Sequence, residues 1–266
     1  MKLAVIIAAA GASTRYTAAS GSDFPRSKLD EDLGGIPVLH RTVDLFVKRD
    51  DVDLVILAGP HDRYEEFVLR HGDKLGLLGV RLCRGGKDHR WETVRNALEL
   101  VPEGFTHVAV HDAARPAAPV ELIDRLFNAA AKHPAVIPGI DVPDTLKRVS
   151  AKAVQDRDVD PLDTILGDAG KSKQAVRAVE ETVSRERLVL VQTPQVFEIG
   201  LLKRAYAQQD LSSTDDASLV ERLGETVRVI EGDPRNIKIT RPVDLHTVRL
   251  ILNLKGPAGR DAHKRF

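Results

Sequence analysis

The sequence predicts an α/β protein built on a doubly wound, mostly parallel sheet, and three observations carry that expectation. Short aliphatic runs recur along the first half of the chain, helical patterns separate them, and the runs are continuous rather than alternating in polarity. Strands covered by helices on both faces read as unbroken apolar runs, whereas half-exposed strands alternate. Strand alternating with helix implies right-handed crossovers between parallel neighbours.

Taken in order, LAVIIA (3–8) is the first strand, followed by DLVILAG (53–59), VRLCRGG (80–86), HVAVHD (107–112) and AVIPGIDV (135–142). Amphipathic helices run from Pro37 to Arg49, from His89 to Val101 and from Pro119 to His133. Proline suits a first helical turn, where its missing N–H has no helical partner to lose. The rhythm changes after Lys147: residues 149–175 are polar and read as a long loop or an extended arm. Two strand-like runs, AVEETV (178–183) and RLVLVQ (187–192), lead into TPQVF and a helix at 199–209. The chain continues with a helix from Asp215 in TDDASLVERLG, strand TVRVI (226–230), strand-like NIKIT (236–240) and a helix from Pro242 to about Leu254. The expected organisation is one domain over 1–255, including an arm at about 144–186, with 256–266 as a frayed tail.

Composition narrows the function classes. The 266 residues carry 39 Lys+Arg against 39 Asp+Glu, so there is no global cationic surplus for a nucleic-acid polymer. Aromatic residues are only 4%, which removes base-stacking platforms and leaves a core of Ala, Val, Leu and Ile. Cys83 is alone, so neither an intramolecular disulfide nor a thiolate metal cluster is expected. The N-terminal MKLAVIIAAAGAS holds only a short apolar run, which reads as a strand rather than a membrane span or export signal. No membrane partner is expected, and the cytoplasm is the expected compartment.

In open α/β sheets ligands bind beyond the carboxyl ends of the strands. That rule selects AAAGASTR (8–15), GGKDHR (85–90), HDAARP (111–116) and DVPDTLKR (141–148). Gly11 lets backbone N–H groups approach an anion, although one glycine also suits a plain turn. Arg15 and Lys28 bracket a Ser/Gly/Ala-rich stretch with no core to pack, as an enclosing polyphosphate loop requires. Asp112, at a strand end, can hold Mg²⁺ through one carboxylate, with Arg115 in reach of the same phosphates; the alternative is a capping Asp with a surface Arg. His111 reads as a packing residue. Each of the remaining motifs has a plain alternative: Thr145 as a turn hydroxyl, Thr214 as an N-cap, Lys238 as a solvated strand residue.

Their joint occurrence is specific. AAAGASTR with Lys28, GG with Arg90 and Thr93, HDAARP, PDTLKR, QTPQVF, TDDAS and NIKITRP resemble, in order and over nearly the whole chain, the 2-C-methyl-D-erythritol 4-phosphate cytidylyltransferases. The resemblance implies a glycosyltransferase-A type fold and a Mg²⁺-dependent transfer of CMP from CTP to methylerythritol phosphate, by a homodimer whose β-arm reaches its partner. Carried over residue by residue, Ala9, Ala10 and Gly11 resemble the CTP cradle, Arg15 and Lys28 the cations on the triphosphate, and Gly86 and Thr93 the cytosine contacts. Asp112 resembles the Mg²⁺ ligand, and Arg115, Thr145, Arg185, Thr193, Thr214 and Lys238 group around the acceptor phosphate, with Arg185 supplied by the other subunit. The catalytic cations would be Arg15, Lys28, Arg185 and Lys238. Two departures stand out: Ser27-Lys28-Leu29 replaces the family's Pro-Lys-Gln, making Arg26 a competing loop cation, and 41 positions separate Asp144 from Arg185. The rival readings are a cytidylyltransferase for ribitol 5-phosphate or another polyol phosphate, and an inactive nucleotide-binding protein.

Overall fold

The first aliphatic run forms β1 (Leu3–Ala8) in the computed structural model, which describes residues 1–11, 13–20, 27–155 and 175–254. Strand β1 has a parallel neighbour on each side, β2 (Leu54–Gly59) and β4 (His107–Asp112), with Ile6 opposite both Ile56 and Val110. Strand β3 (Arg81–Arg84) extends the sheet in parallel beyond β2. On the other side the sheet turns mixed. A late strand, β11 (Gln195–Glu198), inserts antiparallel between β4 and β5 (Ala135–Asp141), and β12 (Arg228–Glu231) pairs in parallel with β5.

The unbroken apolar runs are accounted for by two cores, one on each face. Leu3, Val5 and Ile7 of β1 point into the first, with Leu39, Val43 and Phe46 of α2 (Val38–Val47), Ile123 of α5 (Val120–Ala130) and Val248 of α8 (Pro242–Ile251). Ala4 and Ile6 point into the second, with Val94 and Ala97 of α4 (Arg90–Leu98), Leu202 and Ala205 of α6 (Ile199–Tyr206) and Val220 of α7 (Ala217–Arg222). Successive side chains of a strand face opposite ways, so both sets must be apolar.

Several elements differ from expectation. Helix α3 (Tyr64–Leu77) was not marked by the apolar pattern, because it buries only His71 and Leu75 and its stripe is too narrow to register. Helix α1 (Thr14–Ser20) lies in what reads as a loop. NIKIT is not a strand: its backbone runs without a ladder partner, and the Ile239 N–H donates to the Ala114 carbonyl at 2.8 Å. Thr214 is not the N-cap of α7, which begins at Ala217; Asp215 instead accepts from the Ser218 N–H at 3.2 Å, and Thr214 is exposed.

Contacts divide the chain into two units, Met1–Ile140 with Val191–Phe266, and Asp141–Leu190. The second contains β6 (Leu146–Val149) antiparallel to β9 (Val179–Val183), and β7 (Val154–Gln155) antiparallel to β8 (Ala175–Val176). Strand β10 (Val189–Val191) follows. The 149–175 stretch is thus paired at both ends, while 156–174 lie outside the described residues, as do Arg26 and the expected tail. Among the described residues no helix is long and apolar enough to cross a membrane.

One buried group makes stability depend on pH. His40 of α2 is 4% exposed; its Nε2 lies 3.1 Å from His71 Nδ1, whose Nε2 lies 2.9 Å from Asp30. Burial, reinforced by the neighbouring His71, pushes the His40 imidazole down to about 4. The unfolded chain then binds the extra proton between its ordinary value of about 6.5 and 4, so this contribution is full above 6.5 and is lost as pH falls through that window. The expected result is a melting midpoint several degrees lower at pH 5 than at pH 7, with a smaller drop in His40→Met, read by thermal unfolding at both pH values.

Candidate active site

Three loops leave the carboxyl ends of β1, β3 and β4 and enclose a cavity of about 320 Å³ lined by Ala9–Gly11, Lys28, Gly86–Arg90, Thr93, Asp112 and Lys238. The first loop continues β1 for one residue, the Ala9 N–H donating to the Ala58 carbonyl at 2.9 Å. Gly11 faces open space, where an added Cβ would meet nothing within 4 Å, so glycine leaves room on the ligand side rather than relieving a clash within the protein. Ser13 then adopts a left-handed φ of 55° and its carbonyl accepts from Tyr16 and Thr17, which starts α1.

The second loop needs glycine for a different reason. A Cβ on Gly86 would lie 2.2 Å from Glu92 Cβ, and one on Gly85 2.5 Å from Ala10 Cβ. The Gly86 N–H donates to Thr93 Oγ1 at 3.0 Å, and the Glu92 carboxylate accepts from the N–H groups of Asp88 and His89 at 3.0 and 3.2 Å. Thr93, 3% exposed, therefore acts chiefly by fixing the loop. Gly86→Ala must push Glu92 away and release residues 86–89. For the nucleotide that the resemblance implies, the expected effect is a rise of at least tenfold in the concentration needed for half-saturation, about 1.4 kcal/mol or more, measured by calorimetric titration.

The third loop carries the charge. Asp112, 7% exposed, has Lys238 Nζ at 2.8 Å and the Nε atoms of Arg90 and Arg115 each at 3.5 Å. Burial opposes its ionisation, but Lys238, Arg90 and Arg115 together hold the carboxyl well below the usual range. Beneath it, the Asp112 N–H donates to Thr193 Oγ1 at 3.0 Å, and Thr193 lies 3.3 Å from His111 Nδ1. His111 Nε2 faces the Arg115 carbonyl at 3.1 Å and can only donate there, so Nδ1 is left to accept from the threonine hydroxyl. Burial pushes this imidazole down to about 4, which keeps it neutral. Thr193, expected at the acceptor phosphate, is thus 5% exposed with its hydroxyl committed to Asp112 and His111. Arg115 is likewise mostly buried, one amino group donating to the Asn236 carbonyl at 2.6 Å.

Lys28 and Lys238 converge through NIKIT: Lys28 Nζ donates to the Ile239 carbonyl at 2.7 Å, next to Lys238. Thr145 and Arg185 belong to the 141–190 unit, where both are exposed and the Arg185 guanidinium donates to the Pro143 carbonyl. The position of the Arg15 side chain lies outside what is described. Thr214 does not line the cavity.

Sequence reasoning gave Arg90 no assigned role and missed Asp216 and Gln195 altogether. Arg90 Nη2 donates to Asp216 Oδ2 at 2.8 Å, and Gln195 Oε1 accepts from the N–H groups of Asp216 and Ala217 at 3.2 and 3.1 Å. The adjacent aspartates of TDDAS and the last residue of QTPQ were the available signals. For a divalent ion the wall offers two carboxylates, the buried Asp112 and the exposed Asp88, and no group of three His, Cys, Asp or Glu stands together among the described residues. That fits Mg²⁺ carried on a triphosphate, which takes one or two carboxylates besides phosphate oxygens and water. It does not fit a metal caged by protein alone.

The family model described as "IspD: 2-C-methyl-D-erythritol 4-phosphate cytidylyltransferase" matches residues 3–160 and 162–254. A 2-C-methyl-D-erythritol 4-phosphate cytidylyltransferase of Bacteroides thetaiotaomicron is 39% identical over 246 residues, covering 92% of this chain and 97% of the relative. The enzyme of that name from Geobacillus kaustophilus is 33% identical, covering 95% and 97%. A solved structure of a 4-diphosphocytidyl-2C-methyl-D-erythritol synthase superposes with a TM-score of 0.68 at 31% identity over 94% of this chain and 99% of its own. The Thermus thermophilus cytidylyltransferase gives 0.67 at 28%, over 96% and 100%.

Proposed function

This chain belongs to the 2-C-methyl-D-erythritol 4-phosphate cytidylyltransferase family, and from that premise we propose that it transfers CMP from CTP to 2-C-methyl-D-erythritol 4-phosphate. An oxygen of the acceptor phosphate attacks the α-phosphorus of CTP, the bond to the bridging oxygen breaks, and pyrophosphate leaves with that electron pair. The products are 4-diphosphocytidyl-2-C-methyl-D-erythritol and pyrophosphate. The observation that carries the reading is the placement of Lys28, Arg90 and Lys238 around one cavity with Asp112, beside a glycine loop held by Thr93 and Glu92.

The acceptor phosphate is already ionised near neutral pH, so no general base is required. The obstacle is charge, because one phosphate anion must approach another. Enzymes remove roughly 8–23 kcal/mol of barrier, whereas one preorganised donor is worth about 2.7–4 kcal/mol, so several cations must act together. Lys28, Arg90 and Lys238 line the cavity, and Arg15 is proposed to join them on the triphosphate. Ala9, Ala10 and Gly11 leave the floor uncluttered for the nucleotide. Mg²⁺ belongs to the proposal: Asp112 would hold it, and the metal would offset charge on the phosphoryl oxygens. Two copies are proposed to associate through the 141–190 unit, which exposes Val176, Val179, Leu188 and Leu190, with Thr145 and the partner subunit's Arg185 serving the acceptor. The cytoplasm is the proposed compartment.

The test is pyrophosphate release with CTP, UTP and ATP crossed with methylerythritol phosphate, ribitol 5-phosphate and glucose 1-phosphate. Fastest turnover is expected for CTP with methylerythritol phosphate, and only when Mg²⁺ is present. Faster turnover with another acceptor would move the substrate, and silence with every pair would leave a nucleotide-binding protein.

A further inference from the structure

Asp216 has no solvent exposure, yet it lies one residue removed from the reacting cavity through Arg90. Both carboxylate oxygens are engaged. Oδ2 accepts from Arg90 Nη2 at 2.8 Å, and Oδ1 accepts from the Tyr206 hydroxyl at 2.5 Å. Its backbone is pinned as well, because Gln195 Oε1 takes the N–H groups of Asp216 and Ala217 while Gln195 Nε2 donates to Asp215 at 2.9 Å. The carboxylate is therefore fixed from β11, α6 and the start of α7 at once.

Arg90 stands between two acids and treats them unequally. It makes a direct hydrogen bond to Asp216, whereas its Nε is 3.5 Å from Asp112 Oδ1. A guanidinium prefers to close on a carboxylate through two parallel N–H bonds. If Asp216 did not hold it back, Arg90 would close on Asp112 and compete with Lys238, which is 2.8 Å from the other oxygen. Both Arg90 and Asp112 would then be spent on each other instead of on the charge that develops at the transferring phosphoryl group. Stability alone does not account for the arrangement, because a buried ion pair gains little over a well-packed apolar pair of the same shape.

We propose that Asp216 is a positioning residue for nucleotidyl transfer: clamped by Tyr206 and Gln195, it holds Arg90 in the cavity wall and keeps Asp112 open to the incoming phosphates. The inference rests on the cytidylyltransferase reading. Asp216 touches neither substrate nor the reacting atoms; it acts through Arg90. The carboxylate supplies the charge that restrains the guanidinium, so an amide of the same shape should fold and still fail to restrain it.

The experiment is a double-mutant cycle of Asp216→Asn and Arg90→Gln, with kcat and KM for CTP measured at saturating methylerythritol phosphate and thermal unfolding recorded for each protein. Asp216→Asn is expected to lower kcat by about 10- to 100-fold while KM for CTP changes less than about threefold, consistent with loss of transition-state rather than ground-state interactions. In the Arg90→Gln background the same change should cost less than about threefold, because the group it positions is gone. A kcat near wild type, or equal factors in the two backgrounds, would overturn the inference. Tyr206→Phe, which removes the hydroxyl on Asp216 Oδ1, is run through the same cycle and decides the matter if Asp216→Asn does not fold: a fall in kcat confined to the Arg90 background supports the clamp, and an additive effect overturns it. Wild-type turnover is the control for the reading beneath. An inactive wild type defeats the assigned reaction, whereas an active wild type with additive variants defeats only the positioning role.

Discussion

Asp112→Asn is expected to lower kcat by about three orders of magnitude while binding CTP no more weakly than the wild type. The substitution preserves shape and removes one negative charge from among three cations, with Lys238 at 2.8 Å and Arg90 and Arg115 each at 3.5 Å. Removing one partner of a buried charge cluster costs about 3–5 kcal/mol, because the remaining charges keep their desolvation and lose their compensation. The free protein should therefore melt at a lower temperature. A polyphosphate supplies the missing negative charge, so millimolar pyrophosphate should restore more of the melting midpoint in the variant than it adds to the wild type. Turnover is not restored, because a more cationic wall binds ground-state phosphate more firmly and lacks the carboxylate proposed to hold the metal. A kcat within threefold of wild type would remove Asp112 from the mechanism. Its depressed carboxyl also has a pH signature with a definite sign: the stability it contributes is present above the usual carboxylate range and is lost only as pH falls well below it. The loss of stability between pH 7 and 5 therefore belongs to the buried histidines and not to Asp112.

Lys238→Ala should reduce kcat/KM by about two to three orders of magnitude, the value of one preorganised charge-stabilising donor. Lys238 is 37% exposed in its side chain, so its removal leaves the core intact and should shift the melting midpoint little. The loss arises in two places at once: a cation leaves the cavity wall, and Asp112 Oδ2 loses its nearest partner and keeps only Arg115 at 3.5 Å. Lys238→Arg keeps the charge but not the compact ammonium, and should recover only part of the rate. Steady-state kinetics with unfolding curves on the same samples separates the two effects. A large loss of stability matching the loss of rate would make Lys238 a structural residue.

Much of this site was legible in the sequence. Two of the three strands that carry functional loops, β1 and β4, are mainly aliphatic runs, and the rule that ligands gather beyond carboxyl ends led to Gly11, Gly86, Asp112 and Lys28 without coordinates. The elements that escaped share a physical cause. Helix α3 buries only two residues, so its periodicity is faint. NIKIT has the composition of a strand but is tied by single contacts to Ala114, Lys28 and Arg115, which no pattern of residues along the chain records. Thr193 is a clear case: the resemblance put it at the acceptor phosphate, yet folding commits its hydroxyl to the Asp112 backbone, 81 positions away.

The sequence by itself determined the class of fold, the two-faced burial of β1 and the family, because these follow from local periodicity and from motifs whose order survives without knowledge of distance. Only the tertiary structure decided how the charges are shared. Arg90 is drawn towards Asp216, 126 positions away, rather than closing on Asp112, and Lys238 takes the oxygen that Arg90 leaves. Charge interactions depend on separation in space, on burial and on which competing partner is held more rigidly. Those quantities come into being only when β4, β11 and the starts of α4 and α7 are packed side by side.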